Sequence, residues 1–231
     1  MLTLSSSLNA NSNSAAYWTI VNINNHPDIL AGVREEIKPY VKREARQEEG
    51  PKLTIDWQGL LNNCPLLKAS YFESLRMDSA PWSFKTLQRD VQIKEDAVDF
   101  RRRDESSQSS AVFKLRKGDV ALIPADLHHT DAAYFPSPGV WDPSRYITRS
   151  NGVEQANIGT IKPYGGGGTM CKGRFLAERE VLSYVAAMLT CWDLEPVDGN
   201  HWGMHKQTKT SGVCAPGDDL RVKLTPRPHG T

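Results

Sequence analysis

The stretch Lys162-Pro163-Tyr164-Gly165-Gly166-Gly167-Gly168-Thr169-Met170-Cys171-Lys172-Gly173-Arg174 is the most informative part of the sequence. It places one cysteine between a run of glycines and a segment with helical periodicity. Because glycine has no Cβ, the backbone of such a loop can approach a flat, bulky ligand closely. The stretch therefore predicts a ligand-contact loop that ends at Cys171.

The residues that follow Cys171 predict a buried helix of about five turns. Apolar side chains recur there at three-to-four spacing, at Phe175, Val181, Leu182, Val185, Met188 and Leu189. We therefore expect Cys171 to lie at the N-terminus of this helix, where free amide hydrogens and the positive dipole end favour an anion. A thiolate in that position is a good soft ligand for iron.

Three other interpretations of the loop compete with iron binding. Residues 168–173 have the spacing of a phosphate-binding loop, but the continuation Arg174-Phe175 lacks its lysine and magnesium-binding hydroxyl. A dinucleotide fingerprint would need a small third residue where Met170 or Cys171 stands. The third interpretation is a flexible loop before an ordinary helix that carries a buried cysteine. Only other parts of the chain can decide against it.

Residues 164–174 resemble the haem-binding loop of the cytochrome P-450 family, whose usual pattern is Phe-Gly-x-Gly-x-Arg-x-Cys-x-Gly. Tyr164 stands for the Phe, Gly165, Gly167 and Gly173 match, Cys171 falls on the axial thiolate, and Thr169 replaces an arginine that usually contacts a haem propionate. The resemblance implies a haem-thiolate enzyme in which iron protoporphyrin IX is the cofactor and Cys171 the metal ligand.

The composition is that of an ordinary globular protein, with 231 residues, 39% hydrophobic and 24% charged. A formal net charge of +1 gives no reason to expect nucleic acid. No window of 18 apolar residues predicts a membrane span or a signal sequence. The cysteines, Cys64, Cys171, Cys191 and Cys214, are too few and scattered for a disulfide scaffold, which favours a reducing compartment.

Residues 4–24 mix small polar and apolar residues and predict a helix. This segment resembles the second half of the long family helix that crosses the haem, where an acid-then-hydroxyl pair handles dioxygen. Asn11 and Ser12 occupy that pair. The amide in place of the carboxylate is similar to the sterol 7α-hydroxylase and prostacyclin synthase branch. The alternative is that Asn11 and Ser12 are polar residues of a frayed first helix.

Three further helices are predicted, one from Pro27 that continues through Val41, a short one near residues 56–61, and a stronger one over Pro65–Met77. The last carries Glu73 and Arg76, which share a helix face and would usually be an exposed pair. A second segment, Trp141-Asp142-Pro143-Ser144-Arg145-Tyr146, resembles the family's second arginine motif. The resemblance implies a buried ion cluster of Glu73, Arg76 and Arg145.

Between these motifs, a strand is predicted after Ala80, and it carries residues that the resemblance assigns to substrate and haem. Pro81, Trp82 and Phe84 should line the substrate side of the haem, together with Val213 in the last loop. Lys85 aligns with an arginine that contacts a haem propionate, although it can equally be an exposed strand lysine. Further on, Val112–Leu115 and residues 119–124 predict a hairpin around Lys117-Gly118.

Two histidine pairs, His128-His129 and His201 with His205, do not predict a zinc site, because neither has a third ligand or a cysteine pair nearby. His129 aligns instead with a family histidine close to the haem edge. Residues 191–196 and 220–224 predict strands.

The resemblance implies a mainly α fold with small β-sheets, the C-terminal half of the cytochrome P-450 fold, with residues 1–231 as one partial haem-thiolate domain. The implied reaction inserts one oxygen atom from dioxygen into an apolar small organic or sterol-like substrate, with Asn11 and Ser12 assisting proton delivery and a reductase supplying electrons. Family members are about twice as long, so this chain is expected to lack an N-terminal half with the anchor that attaches them to the endoplasmic reticulum membrane; alone it is expected to be soluble or cytoplasmic. The alternatives are a non-catalytic remnant that binds no haem and a reductase-independent isomerase or dehydratase.

Overall fold

The computed structural model of the chain describes residues 2–44, 52–94, 112–197, 202 and 207–228, with side chains from residue 11 onward. The predicted class is confirmed, because these residues form six α-helices and small two-stranded antiparallel sheets. No described helix is both long and apolar enough to cross a bilayer.

The helices are α1 (Leu2–Asn24), α2 (Pro27–Ile37), α3 (Trp57–Asn63), α4 (Pro65–Met77), α5 (Ala125–His129) and α6 (Arg174–Cys191). Each strand pairs with one partner, as β1 (Val41–Glu44) with β2 (Lys52–Ile55), β3 (Trp82–Thr86) with β6 (Val120–Pro124), β4 (Val91–Lys94) with β5 (Val112–Leu115), β7 (Ile147–Ser150) with β8 (Val153–Ala156), β9 (Trp192–Pro196) with β12 (Val222–Pro226), and β10 (Gln207–Thr208) with β11 (Ala215–Pro216). The strands predicted over residues 191–196 and 220–224 are thus present as β9 and β12, with ends shifted by one or two residues.

Helix α4 begins as its sequence predicts, because Pro65 occupies the first turn, where the missing N–H costs nothing. The next two amides, of Leu66 and Leu67, donate to the Glu36 carboxylate of α2 at 2.9 to 3.0 Å. This carboxylate satisfies two of the helix's free donors and joins α2 to α4. Helix α2 is shorter than predicted, since it ends at Ile37 and Val41 already belongs to β1.

The core lies where α1, α2, α4 and α6 pack together. Among its members, Ile23, Val33, Leu67, Val185 and Leu189 are each 0% exposed. An ion pair between Lys68 and Glu178, 2.7 Å apart, ties α4 to α6 at the edge of this core. These helices fix the position of the loop that precedes α6.

The predicted apolar stripe of α6 is correct in its second half and wrong at its start. Val181, Leu182 and Leu189 are buried, whereas Phe175 is 69% exposed and lies under the Arg174 guanidinium, 4.2 Å from the ring centroid. The helix also begins at Arg174 rather than at Cys171. Within the described ranges, the first turn of α6 thus leaves the Phe175 ring largely open to solvent.

The predicted hairpin around Lys117-Gly118 is wrong. Strand β5 pairs with β4, and β6 pairs with β3. The segment that contains β5 and β6 therefore runs antiparallel to the segment that contains β3 and β4, and forms two successive ladders with it. The Gly118 amide donates to the Leu87 carbonyl at 2.8 Å, and Gly118 has a φ of +92°. The glycine therefore forms a bend between the two ladders, which alternation in sequence cannot distinguish from a hairpin turn.

Candidate functional site

The glycine loop is a tight backbone turn that ends at an exposed thiol. Gly165 and Gly167 adopt positive φ angles of +72° and +65°, which side chains other than glycine rarely tolerate. The Cys171 amide donates to the Tyr164 carbonyl at 3.0 Å and closes the loop. The Arg174 guanidinium donates to the Cys171 carbonyl at 3.1 Å, so both ends of the cysteine's backbone are held.

Cys171 is the exposed cysteine of the chain. Cys64 and Cys214 are buried, and burial raises the pKa of Cys64 to about 12 and also raises the pKa of Cys214. Those two thiols are therefore protonated at neutral pH, and Cys191 is partly buried at the other end of α6. Cys171 is the thiol that an external ligand can reach.

The loop beside the thiol presents an open backbone surface that suits a flat macrocycle. A Cβ built on Gly166, Gly167 or Gly168 would meet no described heavy atom within 4 Å. An exposed thiol next to side-chain-free backbone is the donor and the surface that an iron-bound planar group requires. The residues present therefore fit haem.

Tyr164 is joined to α4 by a hydroxyl pair that sequence reasoning missed. The hydroxyl oxygens of Tyr71 and Tyr164 lie 2.5 Å apart, and Tyr71 is 1% exposed. Burial and the neighbouring phenol raise the pKa of Tyr71 well above its ordinary value, so both phenols keep their protons. No local signal marks Tyr71, because its partner lies 93 residues away in the sequence.

Strand β3 places its predicted site residues on two opposite faces. The Lys85 ammonium donates to the Thr169 hydroxyl, and the Ser83 hydroxyl lies 3.3 Å from the position of a Cβ on Gly165, so this face is turned toward the glycine loop. Trp82 and Phe84 lie on the other face, because successive strand residues alternate. The structure does not bring Trp82, Phe84 and Lys85 to one surface.

The face of β3 that carries Trp82 and Phe84 is an exposed apolar surface. Phe84 pairs with Leu122, and Thr86 with Val120. The exposed fractions are 48% for Trp82, 62% for Phe84, 46% for Leu122 and 64% for Val120. Pro81, by contrast, is buried, and its carbonyl accepts the Ala125 amide at 3.1 Å. Pro81 thus joins the start of β3 to α5, and its contact with a substrate stays a prediction.

Asn11 and Ser12 lie inside α1, and their part in proton delivery stays a prediction. The Asn11 side-chain oxygen accepts the Val213 amide at 3.1 Å, and the Ser12 hydroxyl lies 3.5 Å from a Glu180 carboxylate oxygen. Asn11 and Val213, predicted to serve proton delivery and substrate contact, are direct neighbours. Val213 is 9% exposed.

Glu73 and Arg76 form a completely buried bidentate pair. Both side chains are 0% exposed, and the Arg76 Nε and Nη2 atoms each lie 2.8 Å from a Glu73 oxygen. Arg145 adds a third member, with its Nε 3.3 Å from Glu73 Oε1, and the Asp142 amide donates to the same oxygen at 3.0 Å. The Arg76 Nη2 also donates to the Pro138 carbonyl at 2.9 Å. The cluster ties α4 to the segment that leads toward the glycine loop.

His129 is buried and joins the start of the glycine loop to the Arg76 cluster. Its Nε2 accepts the Lys162 amide at 3.0 Å, and its carbonyl accepts the Arg76 guanidinium at 2.7 Å. Burial lowers the pKa of His129 to about 4, so the ring is neutral at pH 7. The ring therefore positions the start of the loop; contact with a haem edge stays a prediction.

The described residues contain no group of three or more potential metal ligands from histidine, cysteine, aspartate and glutamate. The second histidine pair, His201 with His205, lies outside the described residues. A single exposed cysteine, without further ligands among the described residues, fits a metal that arrives inside a cofactor.

Curated relatives match most of this chain and a smaller part of their own length. A cytochrome P-450 monooxygenase of Gibberella zeae is 26% identical over 92% of this chain and 39% of the relative. A pig (Sus scrofa) protein named 5-beta-cholestane-3-alpha,7-alpha-diol 12-alpha-hydroxylase is 28% identical over 94% and 43%. A cholesterol 7-alpha-monooxygenase of Cricetulus griseus is 26% identical over 93% and 42%. The chain thus spans about two fifths of the length of these relatives.

Solved structures show the same fold. The haem domain of cytochrome P-450DA superposes with a TM-score of 0.65 over 94% of this chain and 42% of that one, at 18% identity. A second cytochrome P-450 superposes with a TM-score of 0.64 over 94% and 43%, at 22% identity. The family model described as cytochrome P-450 matches residues 10–222. The chain with the buried Glu73–Arg76 pair and the exposed Cys171 thiol therefore belongs to the cytochrome P-450 family.

Proposed function

We propose that this chain is the cysteine-bearing part of a haem-thiolate monooxygenase, which inserts one oxygen atom from dioxygen into an apolar small organic or sterol-like substrate. The observation that carries the proposal is the exposed Cys171 thiol beside the open backbone of Gly166, Gly167 and Gly168. The named activities of the relatives support the reaction class.

In this proposal Cys171 would hold the iron as a thiolate, and its backbone is fixed by the Tyr164 carbonyl and the Arg174 guanidinium. Bound haem supplies a redox-active iron that can activate dioxygen. The Lys85 ammonium and the Thr169 hydroxyl lie on the loop side of β3, where they offer a cation and a hydroxyl donor to a propionate. In this proposal Lys85 supplies the positive charge that is lost because Thr169 stands where the family usually has an arginine.

The proposed substrate class is supported by the exposed apolar face of β3, which lies opposite the face turned toward the glycine loop. Trp82, Phe84 and Leu122 present exposed apolar side chains on this face. Such a lining favours a hydrophobic substrate over a charged one. The sterol hydroxylases among the relatives support the sterol-like choice. Electrons come from a reductase in this proposal.

A chimera tests the iron ligand. The N-terminal part of the pig relative is joined to this chain, and the reduced carbon-monoxide spectrum is recorded. We expect a thiolate-type band that is lost in Cys171→Ser and retained in the matched control Cys191→Ser, because Cys191 lies at the far end of α6. A band that survives Cys171→Ser would contradict the assignment.

The same chimera separates the competing functions. A haem-free chimera that folds would favour a non-catalytic remnant, while product formation without reductase would favour an isomerase or dehydratase. Reductase-dependent incorporation of labelled oxygen from dioxygen is the outcome that the monooxygenase proposal requires.

A further inference from the structure

The loop between β10 and β11 is held on one side by the end of α4. Its residue Val213 forms an isolated antiparallel bridge with Ser79. The Ala80 amide donates to the Gly212 carbonyl at 2.8 Å, and the Cys214 amide donates to the Asp78 carbonyl at 2.7 Å. The backbone just before β3 is therefore hydrogen-bonded to this loop.

Helix α1 holds the same loop from the other side through two side chains. The Trp18 indole donates to the Cys214 carbonyl at 2.7 Å, and Trp18 is 3% exposed. The Asn11 side-chain oxygen accepts the Val213 amide at 3.1 Å. Asn11 thus supplies the acceptor for a backbone donor that pairs with no strand.

Asn11 also occupies the space that glycine leaves at position 212. A Cβ on Gly212 would lie 2.4 Å from Asn11 Oδ1 and 3.1 Å from its Cγ. The first distance is shorter than any ordinary van der Waals contact, so Asn11 and a larger residue at 212 cannot both keep their present places.

We propose that Asn11 is a positioning residue that fixes the loop of residues 210–214 against α1. The neutral amide oxygen binds the Val213 amide, and the side chain packs against Gly212, so the place of Val213 is set from α1. Through the Ser79 bridge, the start of β3 is set with it. The inference rests on the proposed function in one respect only, that Val213 and the start of β3 border the substrate.

Hydrogen exchange of the 231-residue chain tests the contact without haem or substrate. We expect Asn11→Leu to speed exchange of the Val213 amide about five-fold, since one neutral hydrogen bond is lost. Asn11→Asp should restore protection because a carboxylate oxygen also accepts. Asn13→Leu, an equally exposed amide on the same helix, is the matched control and should leave the Val213 rate unchanged. An unchanged rate in Asn11→Leu would overturn the proposal.

A paired substitution tests the packing. Gly212→Ala should speed exchange across residues 210–214 in the natural chain, and this effect should disappear in the Asn11→Ala background, where the clashing oxygen is gone. Equal effects of Gly212→Ala in both backgrounds would show that Asn11 does not limit this position.

The substrate-side role is read from the chimera by separating KM from kcat. Positioning of the loop predicts that Asn11→Leu raises KM with kcat nearly unchanged, whereas Asn11→Asp behaves as the natural chain. A fall in kcat at constant KM would assign Asn11 to proton delivery and overturn its positioning role. If the chimera holds no haem, the proposed function fails while the exchange experiments still decide the contact.

Discussion

The hydroxyl groups of Tyr71 and Tyr164 lie 2.5 Å apart, which joins the middle of α4 directly to the first residue of the glycine loop. The Tyr164 carbonyl accepts the Cys171 amide at 3.0 Å, so the chain of contacts runs from the buried Tyr71 to the exposed thiol. The usual family pattern has phenylalanine at the place of Tyr164. The hydroxyl at this position is therefore explained by a partner on α4.

We expect Tyr164→Phe to lower the free energy of unfolding by about 1 to 3 kcal/mol, because the buried Tyr71 hydroxyl loses its partner. Tyr71→Phe should cost a similar amount. The double variant Tyr71→Phe/Tyr164→Phe should be less destabilised than the sum of the two, since it leaves no unpaired hydroxyl. Denaturant unfolding of all four proteins measures the coupling, and strictly additive losses would contradict it.

The buried ion cluster should be essential for folding. Arg76→Ala leaves the Glu73 carboxylate, which is 0% exposed, without its main partner, and we expect a loss of about 3 to 5 kcal/mol. The matched control is Arg149→Ala, which breaks a 2.6 Å pair with Glu154 whose side chains are 71% and 44% exposed. That change should cost about 0 to 1 kcal/mol. Thermal unfolding compares the two, and equal shifts would contradict a special role for burial.

Asp78 should make the protein more stable as the pH falls below neutrality. Burial raises the pKa of Asp78 to about 7, against a weaker lowering by the Asn22 amide and Arg76. The folded chain then binds a proton between about pH 7 and pH 4 that the unfolded chain does not, so stability gained at low pH is lost as pH rises to 7. Asp78→Asn should remove this slope, which for one group is at most about 1.4 kcal/mol per pH unit.

His129 should have the opposite effect on the pH dependence of stability, over an overlapping pH range. Its pKa is lowered to about 4 by burial, so its contribution is present above about pH 6.5 and is lost as pH falls toward 4. In the natural chain, the pH dependence of stability caused by Asp78 and that caused by His129 partly cancel. Chemical unfolding between pH 4 and 7 should therefore show acid destabilisation in Asp78→Asn and a gain on acidification in His129→Gln. A natural chain and variants with identical pH profiles would contradict both assignments.

We predict that the 231-residue chain, purified alone, binds haem weakly and self-associates. On the β3–β6 ladder, Trp82, Phe84, Leu122 and Val120 are 46% to 64% exposed. An exposed apolar surface of this kind drives association. Haemin titration with size-exclusion chromatography checks this expectation. A monodisperse monomer with submicromolar, thiolate-ligated haem would contradict it.

The sequence by itself determined the elements whose signals are local. Pro65 and the apolar spacing predicted α4 with its observed ends, and the glycine run with one cysteine predicted the loop at the start of α6. These features follow from backbone sterics and helix periodicity within a few residues. The ordered motifs of Glu73, Arg145 and Cys171 carried the family resemblance for the same reason, since each is a short pattern.

Only the tertiary structure decided which of these elements meet. The pairing of β5 and β6 with earlier strands depends on partners outside the segment, so alternation alone predicted the wrong hairpin. The exposure of Phe175 depends on where neighbouring elements end, and the contact of Asn11 with Val213 joins residues 202 positions apart. Strand pairing, burial and long-range hydrogen bonds are properties of the packed chain, because each requires two segments whose distance the local sequence does not encode.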